Sequence, residues 1–117
     1  MTIKRTDSSN KDFQNLVKLL DADLAIRNGE HHGFYDQFNK IDMIKNCIVI
    51  YVDEIPAACG AFKKFNEETV EIKRMYTNPD FRKRGLATAI VKELEIWAKE
   101  FNYTKAVLKS SREKNEA

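Results

Sequence analysis

The sequence is short of net charge, cysteine and long apolar runs, and each shortage removes a class of protein. Lysine and arginine total 20 against 18 acidic residues, a net charge of +2 over 117 residues. Nucleic-acid binders draw affinity from a strongly basic face, which so balanced a composition does not supply. The two cysteines, Cys47 and Cys59, stand twelve positions apart in apolar, strand-like segments. Buried free thiols are expected there, not a disulfide framework. His31 and His32 are adjacent and far from both cysteines, so no spacing suits zinc and no metal is expected. No apolar run follows a basic amino terminus, and no stretch is long enough to span a bilayer. A cytoplasmic protein without a membrane partner is expected. Repeats, low-complexity tracts and internal linkers are also missing, and 43% hydrophobic residues suit one domain over residues 1–117.

What is present reads as a regular succession of elements. Thr2–Thr6 is a short β-compatible segment. Asp7-Ser-Ser-Asn10 offers helix N-caps, and Asp12 places a favourable charge in a first turn. Phe13, Leu16, Val17, Leu19, Leu20 and Leu24 recur at spacings of three and four, predicting a helix from about Lys11 to Arg27, stopped at Asn28-Gly29. The stretch from His31 to Asn46 reads as one broken helix. Cys47–Val52 is a β-branched run, turned at Asp53-Glu54 into a hairpin partner from Ala57 to Phe65. Thr69–Tyr76 is the next strand, with Val70, Ile72 and the stem of Arg74 alternating against Glu71, Lys73 and Met75. After Asn78-Pro79-Asp80 a second helix carries the stripe Leu86, Ile90, Val91, Leu94, Trp97, Ala98 and Phe101. Its other face, Lys92, Glu93, Glu95, Lys99 and Glu100, is expected in water. Lys105–Lys109 is a last strand, followed by a polar tail from Ser110 to Ala117. A strand–helix–strand unit should cross over right-handed and make its strands parallel. The fold class is therefore α+β: a mixed, mostly antiparallel sheet with helices on both faces.

The chemistry sits in Val70-Glu-Ile-Lys-Arg-Met-Tyr-Thr-Asn-Pro-Asp-Phe-Arg-Lys-Arg-Gly-Leu-Ala-Thr88. A strand passes through a basic, glycine-containing turn directly into a helix. The first N–H groups of that helix have no intrahelical acceptor, and the macrodipole is positive there. Together they suit a phosphate. Gly85 and Ala87 let a bulky anion approach the backbone, while Arg82, Lys83 and Arg84 add charge to the rim. A merely solvated basic turn is the competing reading.

Arg82-Lys-Arg-Gly-Leu-Ala87 resembles motif A of the GNAT (Gcn5-related N-acetyltransferase) superfamily, the Arg/Gln-x-x-Gly-x-Gly/Ala loop that holds the CoA pyrophosphate. The resemblance runs over nearly the whole chain, including the Phe34-Tyr-Asp-Gln-Phe-Asn39 segment and the Glu71–Tyr76 strand. It implies an acetyl-CoA cosubstrate, with backbone groups of Met75, Tyr76 and Thr77 pairing with the pantetheine arm. The N–H groups from Arg82 to Thr88, including Lys83, Arg84, Gly85, Leu86 and Ala87, would hold the pyrophosphate. Glu71 lies eleven positions before Arg82, the offset of the catalytic glutamate in the histone-acetylating branch. That makes it the candidate general base for an ammonium that must lose its proton. A surface strand residue paired with a lysine is the alternative. Tyr35, Gln37 and Asn39, with Asp36 and Phe38, are candidates for an amine-acceptor pocket, for a small molecule or a peptide; the polar surface of a helix explains the polar ones equally well. His31 and His32 read as loop residues, Trp97 as core, and Tyr51 and Tyr103 as sheet-edge or helix-end residues.

The resemblance also implies elements beyond the last predicted strand: another helix and two more strands, so the domain is expected to be incomplete at its carboxy end. That helix often carries Asn-x-x-Ala-x-x-x-Tyr. With Ala117 at the alanine, Lys114 occupies the asparagine place and the tyrosine lies past the end. An unpaired last strand would favour pairing with a second copy, so a homodimer is expected. Three functions compete: an N-acetyltransferase; a weak or inactive module that binds CoA or a partner; and, least supported, a nucleic-acid contact through Lys73, Lys83 and Arg84.

Overall fold

The computed structural model of the chain describes residues 1–28 and 43–108. The expected broken helix from His31, the acceptor candidates Tyr35, Gln37 and Asn39, and the tail after Leu108 lie outside the described residues. Among the described residues, five strands form one sheet in the order β1-β2-β3-β4-β5: β1 (Thr2–Thr6), β2 (Asn46–Val52), β3 (Ile55–Lys64), β4 (Thr69–Thr77) and β5 (Lys105–Leu108). Neighbours from β1 to β4 are antiparallel, and β5 runs parallel to β4. Helix α1 (Lys11–Asn28) packs on one face, and α2 (Leu86–Glu100), the crossover between β4 and β5, on the other. Among the described residues, no helix is long and apolar enough to cross a membrane.

Local chemistry accounts for the boundaries. The Asn10 carboxamide oxygen accepts the Phe13 N–H at 2.9 Å, capping α1. Asp53 and Glu54 take φ of 51° and 68°, the left-handed pair that a two-residue hairpin turn requires. Asn102, at φ 71°, ends α2, and the turn it makes leaves Phe101 55% exposed instead of on the helix's buried stripe. Leu19, also counted with a buried stripe, is 47% exposed. The α1 stripe that reaches the core is narrower: Phe13, Leu16 and Val17.

Alternation along β2 divides the core. Cys47 and Val49 pack with α1, whereas Ile48 and Ile50 pack with Leu86, Ile90, Leu94 and Ala98 of α2. A strand covered on both faces reads as a continuous apolar run, as β2 does. Both thiols are free and fully buried. Burial pushes Cys47 up to about 12 and Cys59 higher still, so neither is a nucleophile at neutral pH. The far end of the sheet is held by Arg5. Its Nε donates to Glu93 at 2.9 Å, its Nη1 to Glu100 at 2.9 Å, and its guanidinium lies 4.8 Å from the Trp97 ring centroid. Glu93, expected in water, is thus a tether between α2 and β1. Trp97 meets Phe62 edge-on at 5.8 Å.

The β3–β4 register slips between Cys59 and Ala61. Cys59 faces Tyr76 and Ala61 faces Lys73, so Gly60 opposes both Arg74 and Met75. This bulge reverses the alternation expected from sequence. Arg74 reaches Asp21 on α1, and Tyr76 joins the α1-side cluster. Met75 packs with the α2-side cluster. A methyl group on Gly60 would sit 2.5 Å from Ile90 Cγ2 and 2.7 Å from Met75 Sδ. Gly60→Ala is therefore expected to cost about 1–3 kcal/mol through overpacking, because Ile90 is anchored in a buried helix. The urea midpoint reads this; an unchanged value would mean the helix–sheet spacing is not set at Gly60.

Candidate functional site

A cleft of about 370 Å³ opens where α1, the end of β4 and the start of α2 converge. Leu20, Asp23 and Leu24 of α1 form one wall, and Met75, Tyr76 and Thr77 of β4 another. Phe81, Arg82, Lys83, Gly85, Leu86, Ala87 and Thr88 complete it. The β4–β5 ladder runs from Thr69↔Lys105 to Ile72↔Leu108 and goes no further among the described residues. Beyond it, Tyr76 and Thr77 keep their β3 partners Cys59 and Ala58 and, with Met75, line the cleft.

The turn before α2 is built by its own polar groups. Asn78 accepts the Asp80 N–H at 3.1 Å and starts the short 3-10 turn Pro79–Phe81. Lys83 at φ 66° and Gly85 at φ 76° then bring the chain round into the helix. Gly85 is the N-cap, and among the described residues no side chain caps α2. The first intrahelical bond runs from Ala89 N–H to the Gly85 carbonyl at 3.1 Å. The N–H groups of Leu86, Ala87 and Thr88 have no acceptor inside the helix and face the cleft end of the dipole. Among the described residues, a Cβ on Gly85 would meet nothing within 4 Å, so its positive φ is what favours a glycine there.

Two of the three basic side chains at this turn have local partners. Arg82 Nε donates to the Thr77 carbonyl at 3.0 Å, with its guanidinium 5.8 Å from the Tyr76 ring centroid. This ties the turn to the end of β4. Arg84 lies 5.3 Å from the Phe81 ring centroid and is not part of the cleft wall. The other cofactor candidates, Met75, Tyr76, Thr77, Arg82, Lys83, Gly85, Leu86, Ala87 and Thr88, all share that wall. Glu71 does not. It is half-buried in β4, in register with Lys63 of β3 and Val107 of β5. At roughly 3.3 Å per residue it lies on the order of 13 Å from Met75 along the strand.

Sequence reasoning missed the α1 wall and Phe81. Leu20, Asp23 and Leu24 share one helix face by their spacing, which was the available signal. It also missed the pair between Asp21 and Arg74. Arg74 Nη1 lies 3.4 Å from Asp21 Oδ1, while Asp21 Oδ2 and Arg74 Nε are buried without a hydrogen-bond partner among the described residues. Burial raises the Asp21 pKa, and the Arg74 charge opposes that rise without cancelling it. Arg74 itself sits at φ 59°, a conformation that costs a non-glycine residue roughly 1–2 kcal/mol. Among the described residues, no group of three or more His, Cys, Asp or Glu could hold a metal ion.

A mixed five-stranded sheet with a helix on each face and a parallel β4–α2–β5 unit is the acyl-CoA N-acyltransferase fold. The sequence matches the Acetyltransferase (GNAT) family over residues 13–117. The chain belongs to that family. Among solved structures, it is similar to a Staphylococcus aureus protein described as a GNAT family acetyltransferase, at 18% identity and a TM-score of 0.70, over 91% of this chain and 98% of that one. A GNAT family acetyltransferase from Elizabethkingia anophelis with acetyl-CoA bound aligns at 20% identity and a TM-score of 0.65, over 92% and 63%. Ribosomal-protein-alanine N-acetyltransferase from Brucella melitensis aligns at 21% identity and a TM-score of 0.66, over 93% and 80%. No curated protein matches the sequence.

Because the raised Asp21 carboxyl binds its proton more tightly folded than unfolded, its contribution to stability is complete below the ordinary aspartate value. It is lost as pH rises through the raised one. Asp21→Asn removes this dependence. Its urea midpoint is expected to gain on wild type as pH climbs from about 4 toward 7; a pH-independent gap would contradict the burial argument.

Proposed function

We propose that the chain transfers an acetyl group from acetyl-CoA to a primary amine of a small molecule or peptide. The uncapped start of α2 carries this reading. Three unpaired N–H groups, a glycine at φ 76° and the charge of Lys83 meet at one end of a cleft whose other wall is the end of β4. A diphosphate is the anion best matched to several convergent N–H donors at a helix N-terminus. Leu86, Ala87 and Thr88 would receive it, with Lys83 beside them. Arg82, held by the Thr77 carbonyl, would fix the turn and present its remaining N–H groups. The pantetheine arm would lie along Met75–Thr77, where amide-rich chain can add to the β4 backbone. Leu20 and Leu24 would exclude water from that wall.

The cosubstrate supplies an activated carbonyl on a good leaving group. The protein's part is to hold it beside the amine, and proximity alone can supply much of the rate. The amine must be neutral when it attacks. Its nitrogen forms the new amide bond, the carbon–sulfur bond breaks, and CoA leaves as thiolate. A backbone N–H of Met75–Thr77 would stabilise the oxyanion as it develops. Glu71 would take the amine proton through water, since it stands back from the cleft wall. That same distance favours a second reading, a CoA-binding module with weak catalysis.

Wild type at about one hundred times the dissociation constant of acetyl-CoA should gain roughly 2.7 kcal/mol of stability, read as a rise in Tm. Gly85→Glu should fold but lose that rise, because its side chain occupies the anion's place. A full rise in this variant would sink the proposed site. Glu71→Gln should keep the rise and lower kcat about 10²-fold or more, with the loss greatest where the amine is protonated. An unchanged kcat would remove Glu71 from the chemistry and favour an amine that deprotonates unaided.

A further inference from the structure

Asp21 and Arg74 make a costly contact in a place where its geometry matters. Their separation of 3.4 Å is long for an ion pair, and each keeps one buried polar atom without a partner among the described residues. Such a pair adds little to stability, since desolvation offsets the attraction between the charges. Yet it spans the two walls of the cleft. Asp21 follows Leu20 on α1, and Arg74 precedes Met75 on β4. Arg74 is also the bulge residue. Its carbonyl accepts the Cys59 thiol at 3.3 Å across the bulge. Its backbone is in the left-handed region, where asparagine or glycine would sit with less strain if only the bend were needed.

We propose that the Asp21–Arg74 pair is a positioning device: it clamps the β4 bulge to α1 and so sets how the Met75–Thr77 backbone faces the cleft. The bulge marks the boundary between the part of β4 laddered to β5 and the part that forms cleft wall. Fixing its side chain to α1 fixes the two walls relative to each other. Met75, pressed against Gly60 from the α2 side, holds the opposite edge of the same bend. The link to cofactor affinity rests on the acetyl-CoA reading above; the link to backbone order does not.

The test removes both charges together, with Asp21→Leu and Arg74→Met in one chain. Its urea midpoint should equal or exceed that of wild type, since no buried charge is left alone. Amide exchange at Met75–Thr77 should nevertheless quicken about tenfold or more while Ile48–Ile50 is unchanged. Acetyl-CoA affinity by calorimetry should fall about tenfold or more, as misplacement of a binding wall predicts. The reversed pair, Asp21→Arg with Arg74→Asp, should bring both readouts back to within about threefold of wild type, if the clamp is a matter of geometry and charge. Wild-type exchange and affinity in the neutral variant would overturn the proposal. If the neutral variant does not fold, the reversed pair decides: restored exchange supports the clamp and rapid exchange overturns it. Should wild type not bind acetyl-CoA, the functional reading falls, and the exchange comparison alone still judges the clamp.

Discussion

Gly60 of β3 faces two residues of β4, and the consequences of that mismatch run through both faces of the sheet. One extra residue in a strand bends it and re-aims every side chain beyond. Here the bend sends Met75 to the α2 face and Tyr76 to the α1 face. It lets α2 approach the sheet so closely at Gly60 that no larger residue fits without a shift. It also divides β4 into a part committed to the ladder with β5 and a part that walls the cleft. The bulge thus converts a regular mixed sheet into a scaffold with an opening beside the start of α2.

The start of α2 then supplies the charge. Its first residues line the opening, Gly85 enters from the left-handed region, and among the described residues no side chain caps the helix. A side-chain cap would satisfy one of the helix's first N–H donors and blunt the site. Arg82 bridges this turn to the Thr77 carbonyl, which ties the proposed anion-binding end to the β4 wall. With a net charge of only +2, the proposed anion site draws on one helix terminus, where fixed dipoles need no reorganisation.

Much of this was legible in the sequence, and the reasons differ by element. The β2 run and the α2 stripe follow from simple periodicities, so their faces and approximate ends could be read. The basic turn could be read because strand, glycine and amphipathic helix occur in an order with few physical uses. The bulge could not. Alternation from Val70 through Ile72 predicts Arg74 on the α2 side, and nothing local reveals that an arginine will take φ 59°. The residues it meets, Asp21 on α1 and Gly60 on β3, are distant in sequence. The cleft's α1 wall was missed for a related reason, because a leucine facing a cavity and one facing a core have the same spacing. Leu19 illustrates the reverse case: it has the spacing of a core residue and faces solvent.

The most direct test of the cleft as an acetyl-CoA site is a titration followed through backbone amide NMR signals. The account predicts the largest shifts at Leu86, Ala87 and Thr88 and along Met75–Thr77, with β1 unaffected. Shifts confined to other parts of the sheet, or none at millimolar acetyl-CoA in a folded sample, would contradict it.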